Sequence, residues 1–221
     1  MAEGEPTGPE ARYGLLLITL VAAYLLSAVT HSTWAEAVHV GLIVVVALLA
    51  VRHARLTRRG NVLVIGVTLV TATAAGVGAT SANTQAEGIA SIWNGLLLLA
   101  TVVVIIDRVV RFERVTGQSI YAALSSYLLI GLMFASFFGA LGYLVSGPFF
   151  AQGQPVNSQT LQYFSFTTLT TLGYGDFTAA GSLGRALAVL EALAGQVFLA
   201  TLVARLVSAY AGSRRRPPPG E

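Results

Sequence analysis

The chain has 221 residues, 55% of them hydrophobic and only 10% charged, and no cysteine. That balance excludes an ordinary soluble domain, in which about 25% of residues are charged, and fits a chain that crosses a membrane several times. Without cysteine there is neither a disulfide nor a thiolate metal site. All thirteen basic residues are arginine, a usage that fits a GC-rich bacterial genome, and they outweigh ten acids for a net charge of +3.

Residues 1–12 form an acidic tail without the basic start of a secretory signal, and a cytoplasmic tail is expected. Six apolar runs of membrane length follow, at 13–29, 35–51, 61–79, 89–106, 119–145 and 182–210. In lipid each span must satisfy its own backbone hydrogen bonds, so each is expected to be a helix. The fold class is therefore an all-α membrane protein with six transmembrane helices. Ser32, Thr33 and Trp34 suit an outer interface, where an indole sits at headgroup level.

The arginines orient the spans. Arg52, Arg55, Arg58 and Arg59 follow the second run, Arg108, Arg111 and Arg114 follow the fourth, and Arg214, Arg215 and Arg216 lie in the tail 213–221. The loops 31–34 and 80–88 have none. The positive-inside rule places both termini in the cytoplasm and the segment between the fifth and sixth runs outside. The arginine tail, followed by three prolines, suits contact with anionic lipid headgroups or simple solvation.

Arg108, Arg111 and Arg114 recur every third residue, the spacing of a voltage-sensing helix. They begin only where the apolar run ends, with Asp107 and Glu113 among them. The first three runs hold no internal acid to pair with a moving arginine; Glu36 and Glu87 lie near outer ends. Little charge then crosses the field, so strong voltage gating is not expected, and a reduced sensor is the alternative. Residues 13–118 are read as a four-helix, sensor-like domain. His39 in the second run is expected to pack rather than to sense protons.

Between the fifth and sixth runs lies the stretch that carries chemistry. Pro155, Asn157 and Ser158 mark a helix start, and 159–170 is about 12 residues, too short to cross a bilayer and better read as re-entrant. It leads into Thr171, Leu172, Gly173, Tyr174, Gly175 and Asp176. Two glycines around one residue permit positive φ, so that alternate carbonyls swing to one side of an extended strand. Such oxygens replace the hydration shell of a bare cation.

This stretch resembles the potassium-channel filter Thr-Val-Gly-Tyr-Gly, with Leu172 in place of the usual valine. Residues 119–212 are identified as similar to the pore module of the tetrameric potassium channels: outer helix, pore helix, filter, inner helix. The resemblance implies that Thr171, Leu172, Gly173, Tyr174 and Gly175 form the selectivity filter, with K+ at Thr171, Leu172, Gly173 and Tyr174 and Asp176 at the outer mouth. It implies support from Tyr163, hydrogen-bonded to Asp176, from Phe164 beside Tyr174, and from Thr167, where some members of the family carry a buried acid. Gly195 matches a glycine midway along the inner helix, read equally as a hinge and as a close packing point. Gln196, Leu199, Val203 and Val207 would face the axis, the last three as an apolar gate. Glu191, one turn earlier, would either bind the back of the pore helix or add negative potential to the cavity. Gly131, Gly139 and Gly142 in the fifth run either permit close helix contact or reflect the ordinary glycine enrichment of membrane helices.

One strand cannot surround an ion, so the resemblance implies a homotetramer in the plasma (inner) membrane, conducting K+ passively. Its partners would be membrane lipids, K+ ions and further copies of the chain; no cofactor and no nucleic acid are expected. A weakly selective monovalent cation pore is the alternative. An enzyme is not expected, since His31, His39 and His53 are scattered and no catalytic set or phosphate loop occurs.

Overall fold

The computed structural model describes residues 11–29, 84–111 and 116–214. The runs 35–51 and 61–79, with His39 and Arg52–Arg59, lie outside the described residues, as do Arg114, residues 1–10 and residues 215–221. Five helices are described: α1 (Ala11–Val29), α2 (Thr84–Arg111), α3 (Gly117–Leu144), α4 (Ser158–Leu169) and α5 (Ser182–Arg214). No strand occurs among the described residues, only one isolated antiparallel bridge between Phe150 and Ala179.

Thr84–Asp107, Gly117–Leu144 and Ser182–Ser208 are long and apolar enough to cross a membrane. In α1 the apolar part, Tyr13–Leu26, falls short of the ~20 residues of a full crossing. The fourth expected span grows at both ends. Its helix starts at Thr84, inside the expected outer loop, and runs on to Arg111. Arg108 and Arg111 thus extend an existing helix past its apolar stretch.

α3 is the central post, and α1, α2, α4 and α5 all pack against it. Its start is set locally. Thr116 is an extended N-cap whose hydroxyl accepts from the Ser119 amide, while Ser119 Oγ accepts from the Thr116 amide. This capping box satisfies two amides that have no helical partner. The glycines of α3 are contact points. A Cβ at Gly131 would lie 2.6 Å from the Phe166 ring, and one at Gly142 would lie 2.8 Å from Val156. Without side chains there, α4 and the segment before it approach the α3 backbone.

α1 buries Tyr13, Leu16, Leu20 and Ala23, one face at helical spacing, and exposes Leu15, Ile18, Val21 and Leu25 on the other. A helix that is apolar all round belongs among helices and lipid, not water. Tyr24 of α1 meets Phe166 of α4 edge-on, with centroids 4.8 Å apart. α2 joins α3 through a polar contact as well, Asn94 Nδ2 donating to Ser136 Oγ at 2.8 Å.

Behind α4 lies an aromatic core. Phe164 meets Phe138 at 4.8 Å, Phe150 at 5.7 Å and Phe149 at 5.9 Å, and Phe138 and Phe150 are fully buried. Rings of this size bury 150–250 Å² each, and tilted or edge-on pairs add about 0.5–1.5 kcal/mol beyond the area. Four elements therefore meet at one cluster: α3, the 149–150 segment, α4 and, through Phe177, the stretch after the glycine-tyrosine-glycine segment.

Candidate functional site

The site is built on α4. Asn157 is extended and caps it, Oδ1 accepting from the Thr160 amide at 3.0 Å while Thr160 Oγ1 accepts from the Asn157 amide at 3.1 Å. This is the start read from Asn157 and Ser158. The far end is closed differently. A helix leaves its last carbonyls without partners; here the following segment folds back to supply them. Thr170 N donates to Phe166 O at 3.1 Å and Thr171 N to Thr168 O at 2.9 Å. Leu172 N and Gly173 N donate to Thr167 O at 2.8 and 3.1 Å. The Thr167 hydroxyl turns inward to Phe164 O, so Thr167 supports the segment through its carbonyl.

With these amides engaged, the carbonyls remain. No hydrogen-bond donor among the described residues reaches the carbonyl oxygens of Thr171, Leu172, Gly173 or Tyr174. Thr171 (φ 58°), Gly173 (φ 46°) and Gly175 (φ 82°) take the left-handed conformation, and Leu172 and Tyr174 between them do not. Alternation of hand turns successive peptide planes so that their oxygens share one side. Glycine adopts it freely. Thr171 is the only described non-glycine residue with positive φ, and for a β-branched side chain this is strain of about 1–3 kcal/mol, held by the surrounding contacts.

Just past the segment Tyr163 Oη donates to Asp176 Oδ2 at 2.8 Å. That bond, and the carboxylate charge behind it, raise the Tyr163 pKa above its ordinary value. Two side chains not anticipated from the sequence complete the mouth. Gln152 Nε2 lies 3.2 Å from Gly175 O and 2.9 Å from Thr178 Oγ1, and Gln154 Nε2 donates to Asp176 O. Gly175 O is thus engaged by an amide, unlike the four carbonyls before it. The Phe150–Ala179 bridge, with Ala151 N donating to Thr178 O and Ala180 N to Phe149 O, each at 2.8 Å, ties the 149–154 segment to the mouth. Nothing in the local sequence around Gln152 signals this, because its partners lie more than twenty residues away.

At the inner end Gln196 Nε2 donates to Thr171 Oγ1 at 3.3 Å, which places the α5 side chain read as axial beside the first residue of the segment. Val203 and Val207 are exposed further along α5, and Leu199 is half-buried. Gly195 is a packing point: a Cβ there would lie 2.4 Å from Leu169 O. Glu191 is fully buried, in hydrogen-bond contact through Oε1 with Ser165 of α4. The contacts are therefore close packing against the end of α4 at Gly195 and a hydrogen bond to α4 at Glu191. Phe164 turns inward to the aromatic core, 5% exposed, while the Tyr174 ring is 69% exposed in the single chain.

Residues 130–211 match the model of a family described as an ion channel. The matched stretch runs from the middle of α3 through α4 and the glycine-tyrosine-glycine segment to nearly the end of α5. Neither a curated protein nor a solved structure matches the chain. The match, together with three helices able to cross a bilayer, supports a multi-pass membrane protein that acts as an ion channel, and points to transport rather than catalysis.

Proposed function

We propose that four copies of the chain surround an axis and form a potassium-selective channel. Residues Thr171, Leu172, Gly173, Tyr174 and Gly175 are its filter, and K+ is held at Thr171, Leu172, Gly173 and Tyr174. The observation that carries this reading is the alternating backbone hand over 171–175, with four successive carbonyls that no donor among the described residues engages. In lipid an unsatisfied carbonyl costs several kcal/mol. A row of four in each chain finds its partner in a dehydrated cation, shared among copies related by rotation.

The other residues follow from their places. Asp176, held by Tyr163, concentrates cations at the outer mouth. Gln196 faces the inner cavity, and Leu199, Val203 and Val207 form an apolar constriction that closes by dewetting. The pore lies in the plasma membrane with both termini in the cytoplasm, and transport is passive. Strong voltage dependence is not part of the proposal, since Arg108 and Arg111 come after the apolar stretch of α2.

The test is potassium flux and bi-ionic reversal potential in proteoliposomes of purified protein. Wild type is expected to pass K+ and to reject Na+. Gly175→Ala places a side chain at φ 82°, where an L residue is strained by roughly 1–2 kcal/mol, and is expected to abolish selective flux. Selective flux undiminished in Gly175→Ala would overturn the assignment, and a reversal potential indifferent to K+ and Na+ would leave only a weakly selective cation pore.

A further inference from the structure

Glu191 is fully buried in the transmembrane helix α5, and so is Ser165 on α4. Ser165 Oγ lies 2.6 Å from Gly131 O on α3 and, on its other side, in hydrogen-bond contact with Glu191 Oε1. A serine hydroxyl carries one proton. Gly131 O accepts and cannot donate, so the Ser165 proton serves only one of the two contacts if Glu191 is ionised. The other would then be two bare oxygens pressed together. Both contacts are hydrogen bonds only when Glu191 carries a proton and donates it to Ser165, which donates in turn to Gly131 O. Glu191 Oε2 has no hydrogen-bond partner among the described residues, as suits the carbonyl oxygen of a neutral acid and not half of a buried charge.

We propose that Glu191 is a protonated positioning residue, donating through Ser165 to Gly131 and so fastening inner helix, pore helix and outer helix together behind the filter. This rests on the channel reading for its consequence but not for its chemistry. The clamp sits one turn before the Gly195–Leu169 contact and on the α4 helix whose terminal carbonyls hold the amides of 170–173. Slack in it reaches the filter through α4. The Tyr127 hydroxyl on α3 is committed to Leu169 O at 3.2 Å. Glu191 therefore contributes no negative charge to the cavity.

Three variants decide the matter. Glu191→Gln keeps a donor toward Ser165 and cannot ionise; flux and K+/Na+ discrimination within twofold of wild type are expected. Glu191→Val and Ser165→Ala break the relay at either end, and each is expected to lower K+/Na+ discrimination at least tenfold in protein still assembled as wild type. Infrared spectra of wild type minus Glu191→Gln should show the carbonyl stretch of a protonated carboxylic acid, present in wild type and gone in the variant. A Glu191→Gln protein as impaired as Glu191→Val would overturn the proposal in favour of a charge acting on the ion. So would absence of the infrared band, or full discrimination in Ser165→Ala. If wild type conducted no potassium at all, the channel reading would fall, and the infrared band would still decide the protonation of Glu191.

Discussion

α3 and α5 are both long, apolar and able to cross a membrane, with mean hydropathy of 1.8 and 2.0 over their spans, yet the chain treats them differently. Of the most apolar 18 residues of α3, 67% are buried inside the single chain, against 11% of the matching stretch of α5. Hydropathy therefore does not distinguish the helix at the centre from the helix at the margin. Exposed Val189, Leu190, Leu193 and Val197 on α5 do not by themselves call for a partner, because lipid tails accept them as readily as protein does. What lipid does not accept is the polar material beside them, the carbonyls of 171–174, which no donor among the described residues reaches. The contrast teaches that α3 is finished within the single chain while α5 is not, which is what the proposed assembly of copies around the 171–175 segment requires.

The contrast can be broken at its strongest point first. Phe138→Ala empties a fully buried site between α3, α4 and the 149–150 segment and is expected to destabilise the chain by about 3–5 kcal/mol. Val197→Asn, on a side chain 64% exposed, should change the chain's own stability by no more than about 0.5 kcal/mol while weakening the oligomer. Thermal unfolding in detergent reads the first effect and cross-linking reads the second. Equal effects of the two changes would erase the distinction between α3 and α5.

Gly195→Leu tests the one place where α5 is tightly held. A side chain there meets Leu169 O, and overpacking of about 1–3 kcal/mol is expected, with loss of flux as the end of α4 is pushed away. A hinge alone would tolerate the change when closed, so a fully folded, conducting Gly195→Leu protein would refute the packing role.

The smallest effect belongs to Tyr163→Phe at the mouth. The bond to Asp176 raises the Tyr163 pKa above 10.0, so its contribution to stability is complete below the unfolded value and is lost as pH rises through the folded one. Wild type and Tyr163→Phe should therefore differ by a constant amount in melting temperature at neutral pH, the difference vanishing in strong alkali. No difference at neutral pH would show that the hydrogen bond contributes nothing.

Much of this was legible in the residues. The Asn157 cap, the short α4 and the Tyr163–Asp176 bond were anticipated, because each depends on spacing within a few turns or on a motif that tolerates few alternatives, whereas contact at Gly131 and Gly142 was one of two open readings. The 182–210 run became a helix over its whole length and beyond. Other features were not readable. Gln152 and Gln154 reach the mouth from a segment with no signature of its own. The aromatic core of Phe138, Phe149, Phe150 and Phe164 draws on residues that look like ordinary membrane phenylalanines. The early start of α2 at Thr84 escaped because Thr84–Gly88 is polar enough to pass for a loop.

By itself the amino-acid order determined three apolar spans, the short helix α4 and the alternation of glycine with bulk across 171–175, since these follow from lengths, caps and allowed backbone angles. Only the tertiary structure decided that Thr171 would share the strained hand of the glycines, that Gly195 is a contact, and that Ser165 stands between Glu191 and Gly131. Those outcomes depend on which helix faces come together within a few ångströms, and distant faces meet by packing, for which no local pattern in the chain is a substitute.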